Sequence, residues 1–179
     1  ALSAQDSAED LDARNETTIA IFEPLSAFIL AAVITDLPHL MSARTLCDTR
    51  LLMIPAEVIH EAMREDPAFA LAMAEELARG FRTMVKTTKN LKLREAAPRV
   101  ANYLLARHEA AGAPGRITLP YEKTVLASLL GMTRESLSRV LPKLREQGIV
   151  VSGREVVFAD LDKARAFARP DPLIDDPQG

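Results

Sequence analysis

The 179-residue chain contains one cysteine, Cys47, which excludes an internal disulfide framework and a thiolate metal cage built by this chain alone. Cys47 is therefore expected to be a small buried or half-buried side chain. Long hydrophobic runs are missing as well: the longest, Ala27 to Ile34, falls far short of the ~20 residues that a membrane-spanning helix needs. No charged leader with a small-residue cleavage site opens the chain, which reads as cytoplasmic with no membrane partner. A surplus of positive charge is absent too. The net charge is −3 and the pI about 5.7, so any affinity for nucleic acid must come from a local patch. Catalytic constellations are also lacking. The three histidines, His39, His60 and His108, stand apart without Glu-x-x-His spacing, and there is neither a phosphate-cradling glycine loop nor a nucleophile elbow. The chain does not read as an enzyme.

What is present is enough apolar material, 48% of residues at a mean hydropathy of +0.02, for one ordinary core or two small ones. The β-rich run Thr17 to Phe22 is broken by Glu23-Pro24, and Arg50 to Pro55 closes another such run, so residues 17–54 read as strands and turns of a β domain. The chain opens without Met inside what reads as a strand, which predicts that further N-terminal strands precede it. Gln5 to Asn15, rich in Asp, Glu and Ser, reads as a mobile hairpin tip. Pro55 can start a short helix through Met63. Asp66-Pro67 is a strong helix start with no further breaker before Pro98, which predicts one helix of about seven turns.

Along that helix Leu77, Phe81, Met84, Thr88 and Leu91 recur at alternating steps of four and three, the seam of a two-stranded coiled coil. This predicts a homodimer; the alternative is a helix packed on its own domain. After Pro98 come a helix to about His108, a turn at Ala113-Pro114-Gly115 and the short strand Ile117-Thr118-Leu119. The tail from Pro170, with Pro170-Asp171-Pro172 and Asp175-Asp176-Pro177, has no core-forming pattern and is expected to be disordered. The fold expected is α+β, in four segments. Residues 1–65 are a partial β domain, 66–97 the long helix, 98–169 a second domain of helices and short strands, and 170–179 the tail.

Between Glu122 and Leu144 two helical patterns flank Gly131-Met132-Thr133. Glycine can take the left-handed conformation that ends one helix, and Thr133 can cap the next, so the two helices must cross steeply. On the second helix Leu137, Val140, Leu141 and Leu144 gather on one side and Glu135, Ser138 and Arg139 on the other. The presented side suits a major groove, where an Arg fork matches guanine and Glu accepts from cytosine; an exposed ion pair of Glu135 with Arg139 is the plainer alternative. Gly148 to Phe158 follows as a β-hairpin with Gly153 at its turn, where a wing would lie. Pro142 cannot donate to the Ser138 carbonyl and is expected to bend the helix just beyond its reading face.

The stretch Leu129-Leu130-Gly131-Met132-Thr133-Arg134-Glu135-Ser136-Leu137-Ser138-Arg139-Val140-Leu141, with the β half and the long helix before it, resembles the cyclic AMP receptor/fumarate-nitrate regulator (CRP/FNR) family of bacterial transcription regulators. The resemblance implies that Arg134, Glu135, Ser138 and Arg139 read bases, and that Lys123, Thr124, Thr133 and Ser136 meet phosphates. Glu135-x-x-Ser138-Arg139 is similar to the fumarate-nitrate branch, which implies TTGAT-type half-sites in double-stranded DNA. RNA polymerase is the further partner implied, and the same resemblance implies that residues 1–65 are a partial β-roll sensor, 66–97 a dimerisation helix and 98–169 a winged helix-turn-helix.

The sensing half departs from the family. Its cyclic-nucleotide pocket uses a Gly-Glu pair and then an Arg-Ser or Arg-Ala pair, whereas this chain has Phe28-Ile29-Leu30-Ala31 and Leu40-Met41-Ser42-Ala43, and Met84 and Val85 replace polar residues of the long helix. A phosphate would find no Arg and a ribose no carboxylate there, so cyclic AMP is not expected to bind in the usual way. No cysteine cluster for an iron–sulfur centre is present either. An apolar pocket of Leu30, Ala31, Met41, Met84 and Val85 suits haem or another hydrophobic effector. His39 is the candidate axial ligand, against its reading as an ordinary loop histidine. The competing function is a dimeric ligand-binding or scaffold protein whose helix-turn-helix no longer meets DNA, a reading favoured by the acidic balance and by Pro142.

Overall fold

The computed structural model describes residues 2–5 and 17–175. The chain is α+β and divides into two compact units, Ala1–Met84 and Val85–Gly179. In the first, β1 (Leu2–Gln5) is the central strand of an antiparallel sheet, between β2 (Thr18–Phe22) and β3 (Ser42–Thr45), with its register slipping at Ala4/Gln5. This sheet is a partial β-roll. The tip expected over residues 5–15 lies outside the described residues beyond Gln5, which closes β1.

The reading of residues 17–54 as strands and turns needs correction, because α1 (Leu30–Thr35) is a helix within them. Its Val and Ile favour strands only weakly, and both ends are fixed by left-handed residues, Ile29 at φ 58° and Asp36 at φ 53°, where the Asp36 N–H donates back to the carbonyls of Ala32 and Val33. A β-branched side chain in that conformation is strained. Helix α2 (Ala56–Glu65) starts behind Pro55 and is tied to α1 by a 2.6 Å hydrogen bond between His60 Nε2 and the Val33 carbonyl. Cys47, expected to be buried, is exposed: it lies in the loop after β3, beside Thr49.

Helix α3 runs unbroken over Pro67–Leu93, 27 residues. The Asp66 carboxylate starts it by accepting from the N–H groups of Ala68 at 2.8 Å and Phe69 at 3.2 Å. The boundary between the units falls inside α3 rather than at its ends. Its last turn is bonded into the second unit, where Arg99 Nη1 donates to the Leu91 carbonyl at 3.0 Å. Pro98 does not end α3; it sits in the first turn of α4 (Ala96–Ala110), where its missing N–H is not needed.

The second unit continues with β4 (Arg116–Thr118), α5 (Lys123–Leu129), α6 (Arg134–Glu146), β5 (Ile149–Ser152), β6 (Glu155–Phe158), α7 (Leu161–Ala168) and α8 (Pro172–Asp175). Its sheet is antiparallel in the order β4-β6-β5. Val100, Leu104, Leu126, Leu137, Leu144, Ile149 and Val156 are all fully buried. Each is worth up to ~1.5–3 kcal/mol of transfer free energy, which makes this helix-and-hairpin interior the main apolar store among the described residues. Within the tail expected to be disordered, residues 172–175 form α8, which corrects that reading up to Asp175; residues 176–179 lie outside the described residues. Asp175 forms a two-point pair with Arg94, and the Asp171 N–H donates to Asp175 Oδ2 at 2.7 Å, so residues 170–175 are held by charge where no apolar pattern would hold them.

Candidate nucleic-acid interface

Gly131, at φ 61°, turns the chain out of α5 and into the approach to α6. A β-carbon there would lie 2.7 Å from Leu91 Cδ2, so the turn is pressed against the last turn of α3. Thr133 then caps α6, its Oγ1 accepting from the Ser136 N–H at 3.1 Å and donating to Ser136 Oγ at the same distance. Two of the four residues assigned to phosphates are thus joined in the cap itself. The others, Lys123 and Thr124, open α5, Lys123 half-buried and Thr124 exposed.

The buried side of α6 is Leu137, Val140 and Leu144, with Leu141 at its margin. Arg134, Glu135, Ser138 and Arg139 are all exposed, as 3.6-residue periodicity requires of the opposite face. Arg134, Arg139 and Lys123 form no salt bridge among the described residues. The carboxyl of Glu135 is held below the usual carboxylate range, first by its own backbone N–H, then by the Thr133 hydroxyl, and further by Arg134 and Arg139. At neutral pH this face offers two guanidinium donors flanking one ionised acceptor. Ser138 Oγ donates to the Arg134 carbonyl at 2.9 Å, so what the hydroxyl presents outward is its lone pairs.

The helix continues through Pro142 to Glu146, with the prolyl ring exposed. Proline has no N–H, so the Ser138 carbonyl lacks its helical donor at that turn. The wing is the β5–β6 hairpin, turned at Gly153 with φ 57°. Arg154 on it is exposed, but its Nε is committed to the Leu119 carbonyl at 2.9 Å, and Glu155 pairs with Arg116 at 3.4 Å. That second contact is an exposed pair of small energetic weight.

None of the residues expected to line an effector pocket borders the cleft found in the first unit. The first unit has a cleft of about 650 Å³, but its walls come from either side of α1, among them Phe22, Leu25, Phe28, Cys47, Arg50 and Leu51, and neither Leu30, Ala31 nor Met41 lines it. Leu30 and Ala31 open α1, whose short helical course turns them away from the pattern a strand would have given. Met84 and Val85 are exposed on α3, as are Phe81, at 72%, Thr88 and Leu91, while Leu77 is half-buried. His39 is exposed. Among the described residues no group of three or more His, Cys, Asp or Glu is placed to hold a metal ion, and no helix is long and apolar enough to cross a membrane.

Reading by sequence missed the junction of α3 and α4. Arg94 pairs with Asp175 across 81 positions, a separation no local signal spans, and Arg99 caps α3 from α4 across the break between the two helices.

Residues 98–167 match the family described as the Crp-like helix-turn-helix domain. The chain is 26% identical over 145 residues to a global nitrogen regulator of Synechocystis sp., the match covering 78% of this chain and 64% of that protein. It is 32% identical over 138 residues to a cyclic AMP receptor protein of Thermus thermophilus, covering 77% of this chain and 62% of the relative. The chain therefore spans a little under two thirds of these relatives' length. Among solved structures, FixK2 from Bradyrhizobium japonicum superposes with a TM-score of 0.73 at 21% identity, over 95% of this chain and 84% of that one, a likeness of fold.

Proposed function

Since the chain belongs to the CRP/FNR family of transcription regulators, we propose that it acts in the cytoplasm as a homodimer that reads an inverted-repeat operator in double-stranded DNA through α6. The observation that carries this reading is the division of α6 into a buried Leu137, Val140, Leu144 side and an exposed Arg134, Glu135, Ser138, Arg139 side, immediately followed by a hairpin wing. Arg139 would donate its fork to guanine O6 and N7, and Glu135 would accept from cytosine N4. TTGAT-type half-sites fit that pairing. Lys123, Thr124 and the capped N-terminus of α6 with Thr133 and Ser136 would meet phosphates, and so set register without reading sequence.

The exposed Phe81, Met84, Thr88 and Leu91 at four-three spacing support a partner helix along α3, whose two-fold axis would place two copies of α6 in successive major grooves. RNA polymerase would be the further partner. The effector would be a hydrophobic molecule, with haem as one case, rather than cyclic AMP, because Leu30, Ala31 and Met41 supply neither the guanidinium nor the carboxylate that a cyclic nucleotide needs. Selection of bound sequences from random DNA, with the absorbance spectrum of the purified protein recorded alongside, tests both halves of the proposal. Recovery of an inverted repeat with centres one helical turn apart, ~34 Å, is the expected result; recovery of unselected sequence would sink it.

A further inference from the structure

The Arg94–Asp175 pair stands at the joint between α3 and α4. Only Arg94 and Glu95 separate α3 from α4, so their backbone torsions set the direction of α4 and of the helices packed on it. Arg94 Nη1 donates to Asp175 Oδ1 at 2.7 Å and to Asn90 Oδ1 at 3.1 Å, while Nη2 donates to Asp175 Oδ2 at 2.5 Å. One guanidinium therefore grips α3 and α8 together. Both side chains are shielded, with 10% and 17% of their surface exposed, which sets this pair apart from the exposed Arg116–Glu155 and Arg165–Glu109 pairs.

The other end of the same segment is also fastened. Asn102 Nδ2 on α4 donates to the Ala168 carbonyl at the end of α7 at 2.7 Å and to the Pro98 carbonyl at 3.0 Å. Arg99 closes the circuit back to the Leu91 carbonyl, and Leu91 bears on Gly131 at the turn before α6. Contacts thus run from α3 through Arg94 to α8, from α7 through Asn102 to α4, and from α4 through Arg99 to α3 again. With the chain between α7 and α8, these contacts close a ring across the two-residue joint, of which Arg94 is itself a member. A loose segment after α7 would leave the joint free to turn; one anchored through the half-buried, paired Asp175 does not.

We propose that Asp175, acting through Arg94, is a positioning residue for DNA reading: it latches the C-terminal segment onto the α3–α4 joint and so fixes the angle at which α6 is presented. This rests on the reading of α6 as the sequence-reading helix. The test uses the full chain and two variants, Asp175→Asn, which keeps shape and removes charge, and Asp175→Glu, which keeps the carboxylate. In Asp175→Asn the amides of Leu91 to Leu93 should exchange hydrogen about tenfold faster, while those of Leu104 and Leu137 in the core are unchanged. Affinity for the selected operator should fall about tenfold, comparable to one mismatched base pair, with affinity for scrambled DNA unchanged. Asp175→Glu should recover part of both. Unchanged exchange at Leu91 to Leu93, or an equal loss on operator and scrambled DNA, overturns the latch. If the wild type selects no sequence at all, the proposed function falls, and the exchange comparison still decides whether the joint is latched.

Discussion

Leu91 and Gly131 meet so closely that a β-carbon on the glycine would stand 2.7 Å from Leu91 Cδ2, which ties the last turn of α3 to the turn in front of α6. Two costs therefore fall on Gly131→Ala: ~1–2 kcal/mol for a left-handed non-glycine residue, and displacement of the leucine. The second cost is relieved in the Leu91→Ala background and the first is not.

Two other glycines calibrate this. At Gly148, φ 82°, the obstacle is the Asp160 backbone, with its carbonyl oxygen 2.5 Å from the β-carbon position, and a main chain yields less readily than a leucine tip. At Gly153, φ 57°, nothing lies within 4 Å and only the torsional cost remains. Thermal unfolding should rank the losses as Gly148→Ala, then Gly131→Ala, then Gly153→Ala. A Gly153 variant as damaged as the Gly148 one would show that contact geometry is not what separates them.

Phe81 and Met84 are exposed large apolar side chains on the seam of α3. Phe81→Glu or Met84→Glu would set two like charges face to face in a desolvated dimer seam, so both variants should sediment as monomers. Persistence of a dimer in both would remove α3 as the dimer helix.

Arg139→Ala should cost ~1–3 kcal/mol of operator affinity and relax preference at one base pair per half-site. Lys123→Ala should instead weaken every sequence alike and lower the slope of log affinity against log salt by about two per dimer. If the two variants behave the same way, α6 is not the reader.

Thr133→Ala removes the cap of α6, at a cost of ~1 kcal/mol. It should also raise the titration of Glu135, since the Thr133 hydroxyl is the second cause of its lowered pKa after the glutamate's own N–H. A carboxyl depressed in the folded state stabilises that state above its ordinary pKa, and the contribution is lost as pH falls through the lowered value. Carbon-detected NMR titration of Glu135 in both proteins measures the shift.

Cyclic AMP at millimolar concentration should change neither melting temperature nor DNA affinity, because a ligand stabilises only through a site that exists. A saturable rise in melting temperature would show that Leu30, Ala31 and Met41 are not the residues that matter.

What the sequence disclosed and what it hid divide along the range of the interactions. Gly131, Thr133 and the period of Leu137, Val140 and Leu144 act within a few residues, and the helix-turn-helix could be drawn from them. Asp66 likewise announces α3 through bonds two and three positions away. Helix α1 was hidden because six residues hold too few periods to separate helix from strand, and its boundaries are left-handed residues that are not glycine. The tail was hidden because Asp175 is ordered by Arg94, 81 positions earlier, and composition carries no trace of such a partner. The cleft of the first unit was hidden for a related reason: its walls are loops on either side of α1, which periodicity does not describe.

Among the described residues, every fully buried hydrophobic side chain lies between Ala97 and Ala168. A segment that encloses its own interior is a portable one. Gene fusion could set it behind an unrelated sensing half without opening its core to water, and substitutions in the first unit would meet little resistance from its packing. The second unit should accordingly be the slow clock of this chain and the first unit the fast one, with recombination breakpoints tolerated near Arg94 and Glu95 only where an arginine is kept at position 94 to meet Asp175, which travels with the second unit.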